Sequence, residues 1–206
     1  MIKEYKVIVD YVEGRVTASE FHQAFLFDKN LQKTLKLRMN RKYEFLRDYN
    51  YNLYDFLANE YGYKSSNWDT IARREGLQEI LCAFLDNFGI NYNIFTGYKE
   101  DFDFLLRIQP DWIGCEDDSI IKPIIDSIPA KLSKTNRIAI GKEKIKNLFR
   151  YDKTYPRWIQ GAEWPIKDGK PLVFNHQEKV KGTDCYTKFY FYDPITQEQV
   201  VIEQFG

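Results

Sequence analysis

Histidine and cysteine are scarce in this chain, with two of the first and three of the second in 206 residues, and no run of about eighteen apolar residues occurs anywhere. Without such a run there is no candidate for a membrane-crossing helix, and no membrane partner is expected. The start, Met1-Ile2-Lys3-Glu4-Tyr5, lacks the uninterrupted apolar stretch of a secretory leader, which places the protein in the cytoplasm. Cys82, Cys115 and Cys185 are odd in number and have no C-x-x-C spacing, so reduced, mostly buried thiols fit better than a disulfide framework. The sequence also lacks H-E-x-x-H, a Walker A loop, G-x-G-x-x-G and a G-x-S-x-G elbow, so neither a metal site nor a cofactor cradle is expected. Net charge is absent too. Thirty basic residues balance thirty acidic ones, which argues against an overall field that attracts nucleic acid.

What is present is a globular composition, 44% hydrophobic with 15 Tyr and 15 Phe, enough to bury a sizeable core. The stretch Tyr155 to Phe174 holds two of the four tryptophans and three of the seven prolines. Trp158 and Trp164 each bring a large apolar ring with one N–H donor, and Gln160 and Glu163 stand between them, so the segment should be half buried. Pro156, Pro165 and Pro171 remove donors and favour extended backbone. Lys167-Asp168-Gly169-Lys170 has the composition of a tight turn. The stretch therefore reads as an extended connector between helices before it and strands after it.

The preceding periodicity is helical. Val7, Ile8, Tyr11 and Val12 predict a short helix stopped at Gly14, with a strand as the alternative. Thr17-Ala18-Ser19-Glu20 has the form of a capping box. Asp28 caps the next segment. A helix through Leu53, Phe56 and Leu57 should end at Gly62, and Ser66 or Asn67 should cap a long helix that Gly89 closes. The many aromatics between Asn40 and Tyr63 read as core packing, because acids dilute the basic residues that a base-stacking groove would need. Ile90 to Phe95 is either a short strand or an extended link. Further helices run through Phe102, Leu105 and Leu106, from Asp117 or Asp118 to Ile128, and from Ser133 to Phe149, the last with Gly141 as a weak point. Beyond the connector the period becomes alternating. Leu172–Phe174, Tyr186–Tyr192 and Val200–Ile202 read as strands, the last two joined as a hairpin through Asp193-Pro194. The expected fold is α+β: a helical body over residues 1–153, and a tryptophan-rich connector with a small antiparallel sheet, residues 154–206, packed on it.

Three groups of residues bear on function. His176, just past a predicted strand, comes within reach of Glu163 if the chain folds back, and such a pair would serve a general base. Trp158, Gln160, Glu163, Trp164 and His176 are alternatively structural, or line a pocket. The third group is acidic: between Lys99 and Asp118, seven acids face one Lys and one Arg. There Trp112, with Asp111, Glu116, Asp117 and Asp118, would suit an aromatic anchor on an acidic, partner-binding face. The plainer reading is a core tryptophan with solvated acids.

Trp158-Ile159-Gln160, Glu163-Trp164-Pro165 and Gly169-Lys170-Pro171-Leu172 with Phe174, followed by an aromatic strand and Val201-Ile202-Glu203-Gln204, resemble the C-terminal half of small bacterial proteins, among them immunity proteins of polymorphic or contact-dependent toxin systems. The resemblance covers about fifty residues. It implies a non-enzymatic binder of a cognate protein toxin and assigns no catalytic residue. The alternatives are an enzyme using Glu163 and His176, and a structural or regulatory interaction module.

Overall fold

The capping box at Thr17 forms as its sequence predicts: the Thr17 hydroxyl accepts from Glu20 N, and the Glu20 carboxylate accepts from Thr17 N at 2.7 Å. It opens α2 (Ala18–Phe27), which follows α1 (Lys6–Val12) and the left-handed Gly14, φ 72°. The structure, a computed structural model, describes residues 3–64, 68–114, 118–180, 182 and 186–206. Asp28 caps α3 (Lys29–Leu35) and Asn52 caps α4 (Leu53–Glu60). The cap of α5 (Ile71–Asn87) is Thr70. Trp68 and Asp69, expected inside that helix, precede it, and Ser66 and Asn67 lie outside the described residues. Trp68 is freed from the helix to act as a hub. It is fully buried, its ring lies 4.9 to 6.2 Å from those of Phe21, His22, Phe25 and Tyr61, and its Nε1 donates to Gly62 O.

Residues 90–95 form an extended link, held by side chains. The buried Gln78 amide donates to both Val12 O and Phe95 O, and Asn93 N donates to Glu13 Oε1. α6 (Gly97–Ile108) follows. The chain divides into two compact units, Met1–Phe102 and Asp103–Gly206.

The second unit holds the end of α6, α7 (Asp118–Asp126), α8 (Lys134–Leu148, capped by Ser133) and the strands. Gly141, expected as a weak point, is a point of close approach: a Cβ there would stand 2.6 Å from Ile108 Cγ2. β1 (Ile166–Lys167) and β2 (Lys170–Pro171) form a small hairpin around Asp168 and Gly169, whose φ values of 49° and 71° are those of a type I′ turn. β3 (Val173–Lys179), β4 (Tyr186–Tyr192) and β5 (Gln199–Phe205) make an antiparallel sheet in the order β3-β4-β5. β3 extends well beyond Phe174, with a bulge at Asn175. Residues 150–152 run along it, Phe174 N donating to Arg150 O and Asp152 N to Phe174 O. The architecture is α+β. Among the described residues no helix is long and apolar enough to cross a membrane.

Candidate functional site

The connector crosses the inner face of the sheet, where two glutamines from different strands hold it. On β3, Gln177 Oε1 accepts from Arg157 N at 2.7 Å. On β5, the buried Gln204 Oε1 accepts from Ile159 N and Gln160 N at 3.0 and 3.1 Å, and its Nε2 donates to Gly161 O. These amides satisfy backbone groups that have no strand partner. Between the two clamps Trp158 lies over Phe189, ring centroids 4.5 Å apart, and donates Nε1 to Trp112 O at 2.8 Å.

Trp164 is 6% exposed. It packs against Phe149, Phe191, Phe174 and Trp112, and donates Nε1 to Leu172 O. The tryptophan motif is thus joinery between α8 and the sheet. Gln160 and Glu163 are exposed, and Gln160 Nε2 donates to Phe205 O. The structure does not bring Glu163 to His176, because the connector lies on the inner face and His176 stands on the outer one. The carboxylate that reaches His176 is Glu178, 3.3 Å from Nε2. Strand alternation sets this pair, after the bulge at Asn175 has reset the register.

Of the acidic group, Asp111 is exposed and Trp112 half-buried. Trp112 stacks on Tyr155, with centroids 5.4 Å apart and planes 15° apart, and meets Tyr151 edge-on. Its ring is committed to this cluster, whose exposed member is Tyr155. Glu116 and Asp117 lie outside the described residues; Asp118 opens α7.

The outer face of the sheet carries the other concentration of aromatic and polar groups. The register sets His176, Tyr190 and Val201 in one row, Glu178, Lys188 and Glu203 in the next, and Tyr186 opposite Phe205 in a third. His176 stacks on Tyr190 at 4.5 Å, with planes 6° apart, and Tyr186 stacks on Phe205 at 4.4 Å. Lys188 Nζ meets Glu203 Oε1 at 2.8 Å and lies over the Tyr186 ring. Lys188 donates to Glu203, and that bond, then its bond with Tyr186, raises the Lys188 pKa, while Lys188 lowers that of Glu203. Tyr192 donates to Asp152, and burial, then that bond, raises its pKa. A polar cleft of about 420 Å³ opens between Asp152, Asn175, His176, Tyr190 and Gln197.

Comparison with known protein families, curated proteins and solved structures finds no match. The site therefore rests on its own geometry. Tyr186, Tyr190, Glu178 and Phe205 are not legible as a group in the sequence, since the pairings depend on the registers of β3 with β4 and of β4 with β5. The available signal was the alternation in Tyr186–Tyr192, which puts Lys188, Tyr190 and Tyr192 on the face opposite Phe189 and Phe191. Among the described residues no cluster of three or more His, Cys, Asp or Glu is placed to hold a metal.

Proposed function

We propose that the protein is a non-enzymatic cytoplasmic binding protein, an immunity protein that holds a cognate protein toxin inactive. The observation that carries this reading is the outer face of the β3-β4-β5 sheet. There two stacked pairs, His176 on Tyr190 and Tyr186 on Phe205, are fixed on paired strands and braced by Lys188 and Glu203. Tyrosines held in place present a large amphipathic contact area at little further entropic cost, which is the composition of binding hot spots. The packed tryptophan motif supports the same reading, because it spends its rings on rigidity.

Co-expression with the product of each neighbouring gene, screened for one whose expression arrests growth, tests it. The parent should restore growth and bind the toxin in a one-to-one complex. A Tyr186→Ser, Tyr190→Ser double variant with unchanged melting should lose about 30-fold or more in affinity. Normal protection by that variant, or turnover of a substrate that disappears with His176→Asn, would defeat the proposal.

A further inference from the structure

β5 pairs with β4 on one side, and among the described residues no strand pairs with its other side. The ladder alternation fixes what that free edge offers. Asp193 N donates to Glu198 O across the hairpin, and Val180 N donates to Tyr186 O on the opposite side of β4. The pairs exchanging bonds between β4 and β5 are therefore Phe191/Val200, Phe189/Ile202 and Thr187/Gln204. The backbone N–H and C=O groups of Gln199, Val201 and Glu203 point outward. The Gln160 side chain ends the run by donating to Phe205 O.

Edge strands are ordinarily blunted by Lys, Pro, a bulge or short length. β5 has seven residues with neither Lys nor Pro, and the bulge lies on β3. The one charge on β5, Glu203, is held by Lys188 of the neighbouring strand. Val201 is 41% exposed, Phe205 57%, and Ile195, in the loop before β5, 79%.

We infer that two copies of this chain pair antiparallel through β5, in a two-fold register centred on Val201, to make a continuous six-stranded sheet. The side chains select both occupant and register. Centred on Val201, the pairing sets Val201 against the partner's Val201, Gln199 against the partner's Glu203, and Val200 against the partner's Ile202. An amide thus meets a carboxylate and apolar groups meet each other, while every outward backbone group of Gln199, Val201 and Glu203 finds a partner. A centre at Glu203 would oppose two like charges, and a centre at Ile202 would set Glu203 against the partner's Val201. The favoured register also carries the loop with Ile195 to the same end of the sheet as the partner's Phe205. An isologous contact of this kind closes at two copies.

The test combines mass and amide exchange on the parent chain. Light scattering over a dilution series should give twice the 24.6 kDa chain mass at high concentration. Hydrogen exchange at the Val201 and Glu203 amides should slow as the dimer forms. Val201→Lys should run as a monomer and melt where the parent melts at dilutions that leave it monomeric. A Val201→Cys chain should be captured as a covalent dimer by a short bis-maleimide, because the two-fold pairing sets the two thiols directly opposite each other on one face. Ile195→Cys, more exposed but off the axis, should not. A parent of single-chain mass throughout, a Val201→Lys chain that still dimerises, or equal cross-linking at both cysteines would overturn the inference.

Discussion

Gln204 accepts the backbone N–H groups of both Ile159 and Gln160 through one buried side-chain oxygen, joining β5 to a connector more than forty residues earlier. Replacing it with Leu leaves two donors and the Gly161 carbonyl without their partner. Each unsatisfied group costs about 1–3 kcal/mol where water cannot reach it. Ile159, Gln160 and Gly161 are exposed, so water recovers part of that cost at all three groups, and Gln204→Leu should lower stability by about 2–4 kcal/mol in urea titration, with the slope unchanged.

Trp164 and Trp158 should differ in what their loss costs. Trp164→Ala removes a buried ring from a cluster of four others and should destabilise by about 3–5 kcal/mol. Trp158→Phe keeps a ring over Phe189 but drops the bond to Trp112 O, at about 1 kcal/mol. Urea midpoints measure both, and either variant that still folds should leave the outer face of the sheet, and any binding made through it, unchanged.

Gly141→Ala separates propensity from packing. In an open helix the change would gain about 1 kcal/mol. Here the new methyl meets Ile108, so the variant should lose about 1 kcal/mol net. The loss should shrink when the same change is made in an Ile108→Ala background.

His22 gives the first unit a pH dependence. It is 2% exposed, 4.9 Å from the Trp68 ring, and burial lowers its pKa against the opposite pull of the Tyr63 backbone. The unfolded chain takes up the proton at about pH 6.5, while the folded one does so only at lower pH. Stability is then full above that value and falls as the pH drops from there through the folded pKa. Denaturation midpoints measured from neutral pH down to pH 5 should decline more in the parent than in His22→Phe.

Much of the fold was legible because local rules agree with it. The capping box at Thr17, the cap at Asp28, the turn at Asp168-Gly169 and the alternation in Tyr186–Tyr192 are set by neighbours in sequence. Good capping residues before Trp68 predict that α5 starts there, yet the demand for a buried hub draws Trp68 out of the helix and Thr70 caps it. The sequence predicts a strand that stops at Phe174, because Asn175-His176-Gln177-Glu178 is polar on both sides, whereas β3 runs on to Lys179. The bulge and the clamp to Arg157, which explain that polarity, exist only in three dimensions. For the same reason Glu163 and His176 looked pairable in sequence and stand on opposite faces of the sheet. The change from helix to strand near residue 153 is a change of period, while the compact units divide at Phe102 and Asp103.

That division falls inside α6, whose backbone bonds run unbroken from Gly97 to Ile108. A gene cut at the junction would give each fragment about half a helix, well below the roughly 12–15 residues at which an isolated helix becomes even marginal in water. The two halves thus share an element that a cut there leaves whole to neither, and recombination that exchanges one for a homologous half must place its junction outside α6, so that the helix travels intact with one of them.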